Sequence, residues 1–125
     1  MITIDYKSRV PIYDQIVGGI IRLKSLGVLK AGDKLPSVRA LAQDIGINPN
    51  TVQRAYNILE NEQVIYTAPG KGSFISDDEK ATKAILDAAE AAFRHAVEEA
   101  VRAGVGHKAL TDIIDDILKG GKGND

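Results

Sequence analysis

Apolar residues recur along this chain in runs at helical spacing, separated by prolines, glycines and small polar residues. Ile12, Ile16, Ile20 and Leu23 form the first run and predict a helix with one buried face. Pro11 stands at its start, where proline is tolerated, and Gly27 is a natural stop. Gly18 and Gly19 lie inside it, each at a cost on the order of 1 kcal/mol relative to alanine. They either admit another backbone at close range or simply weaken the helix. Val38, Leu41, Ala42 and Ile45 predict a second, short helix with Ser37 as N-cap and Gly46 at its end. Pro36 holds Leu35 out of helical conformation. Val52, Ala55, Tyr56 and Leu59 predict a third helix, capped by Asn48 with Pro49 in its first turn. Residues 64–68 and 72–76 read as strands, and Pro69-Gly70-Lys71 between them supplies a hairpin turn. Residues 2–6 alternate apolar and polar, as in a short edge strand or an extended arm. Lys30 to Pro36 reads as a turn-rich connection.

Beyond the polar break Asp77-Asp78-Glu79, a long stripe runs through Ile85, Ala88, Ala89, Ala92, Phe93, Ala96, Val97, Ala100 and Val101 to about Gly104. Leu110, Ile113, Ile114, Ile117 and Leu118 mark a last helix, and Gly120 to Asp125 reads as a frayed tail. The expected fold is mostly α with a small β-hairpin. Two short helices joined by a tight turn make a helix-turn-helix, and the hairpin after the third helix is its wing. Residues 1–76 are read as a winged helix-turn-helix DNA-binding domain, and residues 77–125 as a helical dimerisation segment.

The outward face of the third helix gives this architecture a chemistry. At about 100° per residue, Asn50, Gln53, Arg54 and Asn57 fall opposite the apolar stripe. An ordinary solvated face mixes Glu and Lys. This one holds amides and a guanidinium, the groups that pair bidentately with adenine and guanine edges. Net charge is −1 over 125 residues, but it is unevenly spread. Residues 1–76 carry nine Lys/Arg against six Asp/Glu, and residues 77–125 seven against eleven. A basic front and an acidic back suit a chain whose front alone meets a polyanion, although scatter alone could produce that difference. There is no cysteine, which removes disulfides and thiolate metal sites and suits a reducing cytoplasm. No apolar run is long enough to span a bilayer, and the N-terminus lacks a signal-peptide pattern.

Five segments act together: Pro11-Ile12-Tyr13, residues 32–39 (Gly-Asp-Lys-Leu-Pro-Ser-Val-Arg), Leu41-Ala42, residues 48–56 (Asn-Pro-Asn-Thr-Val-Gln-Arg-Ala-Tyr), and residues 70–74 (Gly-Lys-Gly-Ser-Phe). With them the sequence from Pro11 to Ile75 resembles the GntR family of bacterial transcription regulators. The short helical tail is similar to the YtrA subfamily in particular. The resemblance implies a homodimer that binds a palindromic operator, as a repressor, often of a transporter operon. It places Arg39, Asn50, Thr51, Gln53 and Arg54 against bases or phosphates, and Gly70 and Lys71 at the wing tip against the minor groove or backbone. Ser37, Asn48 and Pro49 complete the candidate DNA-contacting set, with helix capping as the first role of Ser37 and Asn48. Exposed N–H groups in the first turn of the third helix would favour phosphate. The chain departs from the family pattern at Gln63, where glycine is usual, at Ala68 and Pro69, where the wing often carries arginine, and at Gly18-Gly19, where a polar pair is usual.

The stripe after the wing buries too little to hold two helices together alone, so a two-fold interface is expected. Ile85, Ala89, Ala92, Phe93, Ala96, Val97, Ile113 and Ile117 are its candidates, with Phe93 as anchor. No cofactor is expected. His95 and His107 are the only histidines and make no metal cluster, and Asp112, Asp115 and Asp116 read as a solvated face. Gly70-Lys71-Gly72-Ser73 lacks the strand–loop–helix context of a nucleotide-binding loop. A small-molecule effector of unknown identity could bind in the dimer cleft between the Ile85–Val101 helices and the DNA-binding domains; alternatively, protein level alone could control repression. The competing class is a winged-helix protein–protein adaptor, which would need an apolar outward face on the third helix. Nothing in the residues suggests catalysis.

Overall fold

A computed structural model describes residues 2–123. The helices are α1 (Ile12–Ser25), α2 (Val38–Ile45), α3 (Pro49–Asn61), α4 (Glu79–Arg102) and α5 (His107–Gly123). Strands β1 (Ile65–Ala68) and β2 (Gly72–Ile75) pair antiparallel, with Ile65 opposite Ile75 and Ala68 opposite Gly72. The chain forms two compact units, Met1–Thr82 and Lys83–Asp125.

All the buried apolar side chains among the described residues belong to the first unit. Ile16 and Ile20 of α1, Val52, Ala55 and Leu59 of α3, Val64 and Ile75 are completely enclosed, with Leu41 and Ala42 of α2 beside them. Helix α3 is the hub, packing against α1, α2 and β1. The helix ends follow their local chemistry. Ser37 Oγ accepts from Ala40 N–H at 3.0 Å, and the N–H groups of Gly46 and Ile47 both donate to the Ala42 carbonyl. Pro11 is the N-cap of α1 rather than its first helical residue, because its ψ of 148° is extended.

The wing turn is built by Pro69 and Gly70. Lys71 N–H donates to the Ala68 carbonyl at 2.9 Å, and Gly70 has φ +76°. Proline second and a left-handed glycine third are the residues a type II turn requires. A third segment joins this hairpin. Leu35 N–H donates to Ser73 O and Ile75 N–H to Asp33 O, both at 2.8 Å, with a bridge between Lys34 and Phe74. The turn-rich connection thus also covers one edge of the wing, which would otherwise leave its backbone groups unpaired.

Residues 2–5 form no strand. They are held as an arm: Gln15 Oε1 accepts from Asp5 N–H at 2.8 Å, and Gln15 Nε2 donates to the carbonyls of Asp5 and Val10 at 2.9 Å. Ile2 closes over Gly19, where an added Cβ would lie 3.6 Å from its side chain. The glycine therefore admits a side chain, not a second backbone. Gln63 has φ +63°, the one non-glycine residue described with a positive φ. The left-handed backbone costs about 1–2 kcal/mol there. Neighbours hold it: Gln63 N–H donates to Glu60 O, and its carbonyl accepts from the buried Ser76 Oγ at 2.5 Å. Lys24 Nζ donates to the same hydroxyl at 3.2 Å.

In the second unit, none of the described side chains from residue 83 to 120 is buried. Asp78 Oδ1 accepts from Ala81 N–H at 2.9 Å at the start of α4. Gly104 (φ +100°) lies between α4 and α5. Gly120 to Gly123, expected in a frayed tail, continue α5, since extending an existing helix gains one hydrogen bond per residue. Asn124 and Asp125 lie outside the described residues.

Two tests follow from this packing. Gly18 is exposed on α1, and nothing lies within 4 Å of where its Cβ would be. Gly18→Ala should raise unfolding free energy by about 1 kcal/mol, measured by urea denaturation. The second concerns Tyr56, 4% exposed, whose hydroxyl donates to the Pro36 carbonyl at 2.7 Å. Burial pushes its pKa from 10.0 up to about 12. A raised acid contributes stability that is complete below the unfolded value and is lost as pH rises through the folded one. Stability should therefore fall between pH 10 and about 12, and Tyr56→Phe should flatten that fall.

Candidate nucleic-acid interface

The buried stripe of α3 fixes the rotation of the helix about its own axis. With Val52, Ala55, Tyr56 and Leu59 inward, Asn50, Gln53, Arg54 and Asn57 are all exposed. From Asn50 to Asn57 the outward face carries one positive charge and no negative one. Gln53 Nε2 donates to Asn57 Oδ1 at 2.9 Å, one turn on. That bond leaves Gln53 its carbonyl and Asn57 its amide as a composite donor–acceptor pair.

The N-terminus of α3 differs from the expected phosphate seat. Asn48 Oδ1 accepts from Asn50 N–H at 2.8 Å, and the Asn48 carbonyl accepts from Thr51 N–H at 3.0 Å. Pro49 has no N–H to offer. The first-turn donors are thus occupied or missing, and side chains are left to make contacts at this end. Asn48 and Ser37 both cap with their side-chain oxygens, and Pro49 occupies the first turn. Thr51 is half-buried at the flank of the polar face.

Arg39 is exposed in the first turn of α2. Gly70 and Lys71 are exposed at the wing turn. Two residues outside the candidate DNA-contacting set join this constellation. Lys34 crosses the wing at Gly72: its Cε lies 2.9 Å from where a Gly72 Cβ would stand. The wing therefore carries the ammonium groups of Lys34 and Lys71. Tyr13 of α1 lies under Arg54, whose guanidinium carbon is 3.8 Å from the ring centroid. The long-range pairing of residues 33–35 with β2 was the missing clue for Lys34, and no local pattern announces a contact between residues 13 and 54. On the wing, Tyr66 stacks on Phe74 with ring centroids 5.5 Å apart, and Thr67 Oγ1 donates to Glu60 Oε2 at 3.0 Å, tying β1 to α3.

The residues singled out for a dimer interface lie on α4 and α5. Phe93, Ile113 and Ile117 are more than half exposed, at 56%, 54% and 68%. Ala89, Ala92 and Ala96 are exposed, and Ile85 and Val97 half-buried. Phe93, Ala96, Val97 and Ala100 of α4 face Leu110, Ile113 and Ile114 of α5 across an apolar cleft of about 410 Å³. Exposed i,i+4 pairs decorate the helices: Lys83 with Asp87 at 2.7 Å, His95 with Glu99 at 3.1 Å, and Lys108 with Asp112 at 2.9 Å. Asp87 raises the pKa of Lys83 through that hydrogen bond. Among the described residues no group of His, Asp and Glu is placed to hold a metal, and no helix is long and apolar enough to cross a membrane.

Known proteins share this arrangement. The family described as "Bacterial regulatory proteins, gntR family" matches residues 12–75. The HTH-type transcriptional repressor YtrA of Bacillus subtilis (strain 168) is 42% identical over 130 residues, covering all of both chains. A solved structure from Listeria monocytogenes EGD-e, described as a transcriptional antiterminator, superposes with a TM-score of 0.76 at 38% identity, over 94% of this chain and 90% of that one. YtrA from Sulfolobus acidocaldarius, a GntR-family transcription factor, gives 0.58 at 32% identity, over 94% and 97%. A helix-turn-helix with a wing, matched by the family over residues 12–75 and by a repressor over its whole length, places this chain in the GntR family of DNA-binding transcriptional regulators, among its YtrA-like members.

Proposed function

We propose that the protein is a homodimeric repressor. In this reading two copies of α3 enter successive major grooves of a palindromic operator, and bound protein occludes a promoter. The observation that carries the DNA reading is the outward face of α3. Asn50, Gln53, Arg54 and Asn57 are exposed together, on a helix whose opposite stripe is locked in the core. Amide and guanidinium groups there can read adenine and guanine edges. Arg39, Lys71 and Lys34 supply cations for phosphates, which fix position without reading sequence. The same face lacks the apolar patch that a protein–protein adaptor would need.

The dimer reading rests on the second unit. From residue 83 to 120 no described side chain is buried, yet large apolar groups stand on both helices. Two helices with no core of their own are marginal in water. Burying Phe93, Ile113 and Ile117 against the same residues of a second chain would remove that exposed surface. The resemblance to YtrA-type regulators supports a transporter operon as the target.

The test begins with duplexes selected by the purified protein from a randomised library, followed by footprinting. Arg54→Ala should weaken binding to the selected duplex by about 1–3 kcal/mol, while affinity for a random duplex changes far less. Equal losses on both duplexes would remove Arg54 from base reading. Phe93→Asp should sediment as a monomer where the parent protein is a dimer. A variant that stays dimeric at the same concentration would place the interface elsewhere.

A further inference from the structure

Arg54 does not extend freely from α3. Its guanidinium lies over the ring of Tyr13, 3.8 Å from the centroid, although the two residues are far apart in sequence. Tyr13 belongs to α1, outside the helix-turn-helix proper, and is half-buried, while Arg54 is exposed. Packing of α1 on α3 through Ile16 and Ile20 holds the ring in place. A guanidinium carbon 3.8 Å from a ring centroid is at the distance of a group lying flat on the ring, since an N–H directed at the ring would hold the carbon farther off. A guanidinium lying flat points its N–H donors outward, in its own plane. The stack thus fixes the plane of the fork and leaves its edge open.

We infer that Tyr13 is a positioning residue for DNA readout: it holds the Arg54 guanidinium in one plane before DNA arrives. The inference rests on the assignment of Arg54 to base reading. An arginine that ranges freely in the unbound protein must be ordered on binding, at a cost that lowers affinity. Here α1 has already imposed much of that order. The stack exists before binding, so its own attraction largely cancels between free and bound states. What remains is the ordering cost avoided, which corresponds to roughly a two- to tenfold gain in affinity. A bidentate pair with a base edge is the contact most sensitive to the plane of the fork, so the gain belongs to specific binding. Contact with a phosphate, which accepts from many directions, gains less.

The experiment is a double-mutant cycle on the full chain. Tyr13→Phe, Tyr13→Leu, Arg54→Ala and Tyr13→Leu/Arg54→Ala are titrated against a duplex selected from a random library by the parent protein. A random duplex of equal length is the control. Tyr13→Phe keeps the ring and should bind like the parent. Tyr13→Leu keeps bulk but loses the π-face. It should bind the selected duplex roughly two- to tenfold more weakly, with unchanged affinity for the random duplex. In the Arg54→Ala background, Tyr13→Leu should cost nothing further. Thermal denaturation of each variant separates a weakened fold from a lost stack, since a fold defect weakens binding in both backgrounds. The inference is overturned if Tyr13→Leu is as costly without Arg54 as with it, or if Arg54→Ala is costly and Tyr13→Leu is neutral. If Arg54→Ala is itself neutral on the selected duplex, the base-reading role of Arg54 falls, and the role of Tyr13 falls with it.

Discussion

The outward polar face of α3 depends on the burial of one stripe. Val52, Ala55, Tyr56 and Leu59 are each 4% exposed or less, and together they permit α3 a single rotation about its axis. A turn of the helix by one residue, about 100°, would bring Arg54 toward the core and Val52, Tyr56 and Leu59 to solvent. Neither change is tolerable: one buries an unpaired charge and the other exposes the packed seam. The polar face is therefore aimed by hydrophobic packing on the opposite side. The hydrogen bond from Tyr56 to the Pro36 carbonyl adds a polar tie between α3 and the segment that starts α2.

The same core supports the wing. Val64, Ile65 and Ile75 are inside it, and Ser76 links Gln63 and Lys24 across the base of the hairpin. A left-handed Gln63 is explained by that linkage. Val64 must enter the core directly after α3 ends, and the chain can turn sharply enough only through a left-handed residue. Glycine would adopt it at less cost. Glutamine is held there because Ser76 accepts the geometry and hydrogen-bonds the displaced carbonyl.

Much of this was legible in the sequence, because the decisive features are local. Ser37, Asn48 and Gly46 act within a few residues of themselves, and the stripes of α1, α2 and α3 are periodic. Pro69 and Gly70 specify a turn type. What the sequence hides is long-range. Asp33 to Leu35 pair with β2 across the fold, though Gly32 and Pro36 make the segment look like a loop. The arm at residues 2–5 alternates like a strand but has no neighbouring strand, and Gln15 holds its backbone instead. Tyr13 under Arg54 depends on how α1 crosses α3, which no spacing within either helix reveals. The N-terminus of α3 shows the reverse case. Asn48 and Pro49 serve as cap and first-turn residue, as their residue types predict. Their joint consequence, a first turn with its donors occupied or missing, emerges only once the hydrogen bonds are followed.

The proposed dimer answers a question of magnitude that one winged helix leaves open. A good bidentate base contact discriminates by about 1–3 kcal/mol, while a specific site stands about 4–10 kcal/mol above non-specific DNA. One short polar face with a single guanidinium falls short of the upper part of that range. A two-fold axis doubles each contact and adds the advantage of tethering, because the second half-site is then engaged at high effective concentration. The helices that would form that axis have no buried side chain among residues 83 to 120, so in the proposed dimer their ordering and their pairing would be one event. Occupancy of an operator would then rise more steeply than protein concentration near the dimerisation threshold. The amount of protein would then itself be a regulatory input of the proposed dimer.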